Sequence, residues 1–142
     1  MSSRELNNLV RIELLKVEAA DQKEIDGLLA SGRARLTDAK KTGLSTESRF
    51  DLAYSAAHAF SLSAMRWHGY HPNNKRFVVF SALPHTLGLD AGVWRVLEKC
   101  HTSRNSVEYE GYFDVDDQLL ADLLKATEIV LQEVEKLGPV RK

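Results

Sequence analysis

The sequence contains few of the residues on which cross-linked or loop-rich scaffolds depend. Its single cysteine, Cys100, cannot form an internal disulfide, which fits a reducing compartment, and there are three prolines. Neither sign of charge dominates, because 19 basic residues are balanced by 20 acidic ones. The net charge of -1 gives no general attraction to nucleic acid or to membranes. Any contact with nucleic acid must therefore come from a local basic cluster.

Long apolar runs are also missing. Charged residues interrupt each apolar stretch, and none approaches the roughly 20 apolar residues that a membrane-spanning helix needs. The first residues lack the apolar core of a secretion signal. No linker or repeat divides the chain, and 142 residues is a usual length for one hydrophobic core. We expect a single domain, residues 1–142, in the cytoplasm and without a membrane partner.

Common signatures of nucleotide and zinc sites are absent as well, since there is no Gly-rich phosphate loop, Cys-x-x-Cys pair or His-Glu-x-x-His pattern. His68, His71 and His85 follow no standard metal-ligand spacing. We expect them to be solvated loop or helix-end residues, and we expect neither metal nor cofactor. Cys100 lies on an apolar helix face and is predicted to be buried packing. His58 is predicted to be a hydrogen-bonded interior residue.

Helical periodicity, by contrast, extends through most of the chain. It predicts five main helices, at about residues 4–18, 21–41, 45–67, 91–109 and 116–137, and a short helix at about 76–83. Residues 69–75 carry turn residues and are predicted to form a loop. Residues 77–80 could also form a strand, but no second strand pattern exists to pair with them. The sequence therefore predicts an all-α, antiparallel up-and-down helical bundle.

The third predicted helix is rich in small side chains. They are Ala53, Ser55, Ala56, Ala57, Ala59, Ser61, Ser63 and Ala64. Small side chains let neighbouring helix axes approach closely, so we place this helix at the centre of the bundle.

The most unusual polar run lies late in the penultimate helix. At about 100° per residue, two neighbouring stripes form, one of His101, Asn105 and Tyr109 and one of Arg104, Glu108 and Tyr112. Such a combination of groups is typical of surfaces that recognise phosphate, bases or a protein partner. The alternative is structural: an intrahelical ion pair between Arg104 and Glu108, with the two tyrosines covering the core.

Two basic clusters lie outside this run. Lys75 and Arg76 would form a basic rim for the polar stripes if their loop lies next to that helix. A second group, on the second predicted helix, is predicted to be a solvated face. It consists of Arg33, Arg35, Lys40 and Lys41.

The pattern Arg-Asn-x-x-x-Tyr, late in the penultimate helix of a small bundle, resembles the motif of the HEPN (higher eukaryotes and prokaryotes nucleotide-binding) domain family. Residues 49–58 also resemble the small-residue helix of prokaryotic HEPN proteins. The chain is similar to uncharacterised bacterial HEPN proteins with Arg-Asn-x-x-Glu-Tyr-x-Gly, over about residues 22–135. The matching residues are Arg104, Asn105, Glu108, Tyr109 and Gly111.

The resemblance implies a homodimer in which two copies of the motif meet. In active members the motif Arg stabilises the RNA phosphate and a His handles a proton, without a metal. Here Tyr109 stands at the His position, and tyrosine, with a reference pKa near about 10, is a poor base at neutral pH. Arg104 can still hold phosphate in bidentate fashion. We expect RNA, a nucleotide or a cognate protein to bind at the face described above, in a toxin–antitoxin or defence setting.

Two further functions stay open. One is a metal-independent HEPN endoribonuclease, a dimer in which Arg104 and Tyr109 would be the catalytic residues and His101 or Glu108 could also transfer protons. The other is a non-enzymatic module that docks a partner protein.

Overall fold

The computed structural model describes residues 4–110 and 115–140, and the side chains of residues 107–110 are outside the described part. The described residues form seven helices and two short strands. The helices are α1 (Arg4–Arg11), α2 (Gln22–Ala39), α3 (Thr46–Trp67), α4 (Val78–Ser81), α5 (Leu83–Thr86), α6 (Ala91–Glu110) and α7 (Asp117–Glu135). The strands are β1 (Leu15–Val17) and β2 (Tyr70–Pro72). The all-α bundle that the periodicity predicts is confirmed.

Contacts between helix ends fix the direction of α2 and α3. Near the end of α2 and the start of α3, Nε of Arg49 donates to the carbonyl of Ala39 at 2.8 Å. At the opposite ends, Nε of Arg66 donates to the carboxylate of Glu24 at 3.0 Å. The two helices therefore run antiparallel.

The start of α3 contacts the start of α7, and the end of α3 contacts the residues just beyond the end of α7. Thr46 donates to Asp117 at 3.1 Å at their starts, and the indole of Trp67 donates to the carbonyl of Gly138 at 3.0 Å just beyond their ends. These two helices are parallel. They are the third and the fifth of the five main helices predicted from the sequence. In an up-and-down bundle such helices run in the same direction, so the predicted topology holds.

α3 lies at the centre of the bundle, as its small side chains predict. It packs against α2 and α7 and also contacts α4, α5, α6 and β2. Its buried small residues are Ala53, Ala56, Ala57, Ala59, Ser61, Ser63 and Ala64. Since these side chains extend little beyond Cβ, α3 can approach several neighbours at once, while Phe50, Tyr54 and Phe60 fill the remaining volume.

Helices α2 and α3 approach each other closely at Gly32. A Cβ there would clash with Cε1 of Phe60 and would lie 2.9 Å from Cδ1 and Cζ of the same ring, which is fully buried. We expect Gly32→Ala to lower the free energy of unfolding by about 1–2 kcal/mol, since overpacking outweighs the gain in helix propensity. Urea denaturation measures this change.

Gly27 provides the matched control, because it lies in the same helix and a Cβ there would meet nothing within 4 Å. Gly27→Ala should stabilise the protein by about 0.5–1 kcal/mol. Equal effects at the two glycines would contradict close packing of α2 on α3.

The prediction of one helix over residues 4–18 is wrong beyond Arg11. Glu13 adopts a left-handed backbone with φ of 67°. Its N–H donates to the carbonyl of Val10 at 3.0 Å, and that of Leu14 donates to the carbonyl of Leu9 at 3.0 Å. These two bonds close a Schellman motif, which ends α1 without a glycine.

The prediction of an uninterrupted loop over residues 69–75 is also wrong, because β2 occupies part of it. β1 and β2 pair antiparallel, with Leu15 opposite Pro72 and Val17 opposite Tyr70. The pairing continues in the N–H of Asn73, which donates to the carbonyl of Leu14 at 3.0 Å. This small sheet anchors the start of the segment 73–77 to the N-terminal part of the chain.

The segment 77–80 is helical, as predicted, and not a strand. Residues 78–80 belong to α4, and Phe77 precedes them with a right-handed helical backbone. Helix α5 follows with Pro84 in its first turn, where a missing N–H has no helical partner to lose. Val78, Val79 and Phe80 are buried. The predicted short helix is thus present as two consecutive turns packed on the core.

Arg66 of α3 is a buried charge, 1% exposed, which the sequence pattern does not reveal. Nη1 donates to the carbonyls of Glu18 at 2.8 Å and Tyr70 at 3.2 Å, and Nη2 donates to the carbonyl of Ala19 at 2.7 Å. Nε donates to the Glu24 carboxylate at 3.0 Å. One guanidinium therefore joins α2, α3, β2 and the residues that follow β1.

Among the described residues, no helix combines the length and the apolar character required to cross a bilayer.

Candidate functional site

A cavity of about 470 Å³ opens between α3, α6 and the segment 74–77. It is called the polar groove below. Its lining residues are Tyr54, Asn74, Lys75, Arg76, Phe77, His101, Arg104 and Asn105. Three of the residues predicted from the polar run of α6 therefore line one cavity. The other five lining residues lie on α3 and in the segment 74–77.

His101 is held at both ring nitrogens. Nδ1 lies 2.7 Å from the hydroxyl of Tyr54, and Nε2 lies 3.2 Å from Nδ2 of Asn105. An amide nitrogen can only donate, so Nε2 accepts and the neutral ring carries its proton on Nδ1. The predicted stripe of His101 and Asn105 is real, and it is oriented by a tyrosine on α3.

Burial, followed by the nearby charges of Arg76 and Arg104, lowers the pKa of His101 below its ordinary value of 6.5. The imidazole is accordingly neutral around pH 7. It shapes the groove and fixes Asn105, and it adds no positive charge for an anionic ligand under these conditions.

Arg104 lies over the ring of Tyr54, with the guanidinium carbon 5.2 Å from the ring centroid. Its Nε is 3.8 Å from a carboxylate oxygen of Asp51, whose side chain is half-exposed. The side chain of Arg104 is 27% exposed and therefore partly buried. Stacking on the tyrosine ring gives this guanidinium a fixed direction, and its planar group borders the groove.

Lys75 and Arg76 line the same cavity as Arg104, so the loop that carries them does lie against α6. Both are exposed. Within the described part of the chain, the lining holds three basic side chains and no carboxylate. The groove is therefore a local cationic site on a protein with a net charge of -1.

His58 lies one turn after Tyr54 on α3 and packs edge-to-face on Phe80, with ring centroids 6.0 Å apart. Its buried Nε2 makes no hydrogen bond within the described residues, so the prediction of a hydrogen-bonded histidine is wrong for this atom. Burial, followed by the charges of Arg76, His101 and Arg104, lowers its pKa to about 4. His58 is thus a neutral neighbour of the groove that sequence spacing did not assign to it.

Three predicted binding residues lie outside the described side chains. They are Glu108, Tyr109 and Tyr112, and Gly111 of the motif lies outside as well. The predicted roles of these residues, including Tyr109 as a catalytic group, stay predictions.

Neither family models nor curated proteins match this chain. The HEPN resemblance accordingly rests on the motif and on its place in the bundle.

Cys100 is fully buried on α6. Burial raises the pKa of its thiol to about 12, so the thiolate that a nucleophile requires does not form near neutral pH. The prediction that Cys100 is a packing residue is confirmed.

His68 and His71 each contact a different backbone carbonyl, and neither contacts His85 in the bonds described. Nε2 of His68 lies 2.7 Å from the carbonyl of Thr86, and Nδ1 of His71 lies 2.7 Å from the carbonyl of Pro72. His85 is exposed. Among the described residues, no three His, Cys, Asp or Glu side chains come together as metal ligands.

The basic residues of α2 and of its C-terminal end form surface contacts. Arg33 pairs with Glu135 at 2.8 Å, and Lys40 pairs with Glu128 at 2.7 Å. Arg35 donates to the hydroxyl of Ser31. These exposed charges belong to a solvated face, as predicted, and the cationic surface of interest is the polar groove.

Proposed function

We propose that this chain is a HEPN-like helical protein that binds the phosphate groups of RNA or of a nucleotide in the polar groove. The observation that carries the proposal is the convergence of Lys75, Arg76 and Arg104 on one cavity of about 470 Å³. These residues come from a loop and a helix that are distant in sequence. Phosphate recognition uses such convergent cations with amide donors, which Asn74 and Asn105 supply here.

We propose binding rather than cleavage. A general base needs an accessible acceptor nitrogen, and in the neutral ring of His101 that nitrogen receives the amide of Asn105. Tyrosine at position 109 is a poor substitute for a motif histidine near neutral pH. The proposed setting is a toxin–antitoxin or defence system, and the proposed state is a homodimer in which two polar grooves lie close together.

Substitution of the groove arginines tests the phosphate site. We expect Arg76→Ala and Arg104→Ala each to weaken binding of a fluorescein-labelled single-stranded RNA by roughly 10- to 100-fold. The reason is that a hydrogen bond to a charged group contributes about 1.5–3 kcal/mol. Fluorescence anisotropy measures the affinity, and the loss of a phosphate contact should also reduce the salt dependence of binding.

Arg95→Ala is the matched control. Arg95 lies on the same helix, is exposed, and its guanidinium carbon is 5.7 Å from the Trp94 ring centroid, outside the polar groove. It should bind RNA like the wild type. Equal losses of RNA affinity for Arg95→Ala and Arg104→Ala would show that only the net positive charge of the protein matters. That result would contradict the proposed site.

The same incubations in EDTA report on the competing functions. Intact RNA agrees with binding alone, whereas cleavage that depends on Arg104 would establish the metal-independent ribonuclease. Absence of binding to RNA and nucleotides, together with capture of a protein through this face, would establish the interaction module. Light scattering at micromolar concentration measures whether the chain is a dimer.

A further inference from the structure

A second cavity, of about 310 Å³, adjoins the polar groove. It is called the base compartment below. Its lining residues are His58, Leu62, His71, Pro72, Asn73, Asn74, Lys75 and Arg76. The last three of these also line the polar groove. The two cavities therefore share one short segment of their lining, and a single ligand can contact both.

Helix α3 runs along both cavities. Tyr54 lines the polar groove, whereas His58 and Leu62, at successive intervals of four residues, line the base compartment. Four residues of α-helix correspond to a rise of about 6 Å. Phe80 packs against both of the first two rings, with its centroid 5.7 Å from that of Tyr54 and 6.0 Å from that of His58. The rise of about 6 Å from Tyr54 to His58 along α3 is of the order of the length of a ribose.

The two cavities differ in chemistry. Arg104 and the hydrogen-bonded His101 belong to the polar groove alone, while Leu62 and Pro72 give the base compartment apolar surface. Its two charged residues, Lys75 and Arg76, are the ones it shares with the polar groove, and its other polar groups are the two amides and two imidazoles. Burial lowers the pKa of His58 to about 4, so this ring is uncharged at neutral pH. A flat heterocycle with donors and acceptors at its edge fits such a lining better than a second phosphate does.

We infer that the base compartment receives the base of a nucleotide whose phosphate lies on Arg76 and Arg104 in the polar groove. The ligand is then a nucleoside 5′-phosphate unit, either free or within single-stranded RNA. This inference rests on the proposed function. The base stacks on the side chains of Leu62 and Pro72, and the exposed amide of Asn74 can hydrogen-bond its edge. A paired base inside a duplex cannot enter.

Competition against the labelled RNA tests the compartment in the wild type. The four nucleoside 5′-monophosphates are compared with ribose 5-phosphate, which has the same phosphate and no base. We expect the best nucleotide to compete at least about 10-fold more strongly, since stacking of a base adds to the phosphate contact. Single-stranded RNA should also compete more strongly than the same sequence as a duplex.

Leu62→Trp fills the compartment. It should reduce nucleotide affinity to the level of ribose 5-phosphate and leave the affinity for ribose 5-phosphate unchanged. Leu124→Trp, at another half-buried leucine on α7 and outside both cavities, is the matched control and should retain the wild-type difference. Saturation-transfer NMR on the wild type gives a readout without any variant, and we expect the strongest saturation on the base protons.

The outcomes separate the inference from the function on which it rests. Equal affinities for ribose 5-phosphate and nucleotides, saturation confined to the ribose, or equal binding of duplex RNA would overturn the base compartment and leave the phosphate site intact. Absence of binding by every phosphate compound and RNA would overturn both. Stronger competition by mononucleotides than by RNA identifies a free nucleotide as the ligand, and the reverse order identifies RNA; either order agrees with the inference.

Discussion

Replacing Arg66 with alanine should lower the free energy of unfolding by about 3–5 kcal/mol. The substitution leaves the carbonyls of Glu18, Ala19 and Tyr70 without the donors that Arg66 provides, and it removes the partner of Glu24. The bond to Tyr70 is buried and those to Glu18 and Ala19 are part-buried. A buried acceptor that loses its donor costs about 1–3 kcal/mol, and a part-buried one costs less. Urea denaturation followed by circular dichroism measures the loss.

Arg33→Ala is the matched control, because it removes an arginine whose ion pair with Glu135 is half-exposed on both sides. Such a surface pair contributes at most about 1 kcal/mol. Similar losses for Arg33→Ala and Arg66→Ala would contradict a structural role for the buried guanidinium. Hydrogen exchange gives a second readout, since loss of Arg66 should increase exchange in β1 and β2 more than in α7.

The starts of the main helices could be predicted because short polar side chains cap them. The side chain of Asp21 accepts from the N–H of Lys23 at 3.1 Å, and that of Asp116 accepts from the N–H of Leu119 at 2.8 Å. Ser45 accepts from the N–H of Ser48 at 3.1 Å. Capping is local, so a single sequence contains the whole signal.

The end of α1 and the two-stranded sheet could not be predicted in the same way. Glu13 takes a left-handed conformation that favours glycine or asparagine, so its residue type gives no stop signal. β1 and β2 have three residues each, too few for a clear alternating pattern. Their pairing depends on contacts between segments that are far apart in sequence.

The candidate site was predicted where it depends on the periodicity of one helix. His101 and Asn105 contact each other as their spacing requires, and Arg104 lies beside them. Tyr54 and His58 were missed as site residues, because only tertiary packing brings α3 against α6. The one feature of the sequence that could have indicated them is their spacing of four residues, as two large polar or aromatic side chains in a helix of mostly small ones.

Arg66 shows a second limit of sequence reasoning. A lone arginine on a helix most often lies in solvent, and its burial here depends on backbone carbonyls supplied by residues that precede α2 and by β2. Backbone acceptors have no sequence signature. The fold class could therefore be predicted with its main helices, while the buried polar contacts that fix the N-terminal segment could not.

Acidification from pH 7 to pH 4 should destabilise the protein through His58 by up to about 3 kcal/mol. Burial, followed by Arg76, His101 and Arg104, lowers the pKa of His58 from 6.5 to about 4 in the folded protein. Between these two values the unfolded chain binds the proton and the folded chain does not. The stability is fully present above about pH 6.5 and is lost as the pH falls towards 4, at about 1.4 kcal/mol per pH unit. The lowered pKa of His101 acts in the same direction.

His58→Leu separates this contribution from that of the carboxylates, because leucine fills the site beside Phe80 and takes up no proton. The free energy of unfolding of the variant, from urea denaturation at pH 7, 6, 5 and 4.5, should fall less steeply than that of the wild type. His85→Gln, at an exposed histidine, should retain the wild-type slope. Parallel slopes for the wild type and His58→Leu would show that His58 takes up its proton equally well in the folded chain. Such a result would contradict the presence of a neutral, buried imidazole beside the polar groove.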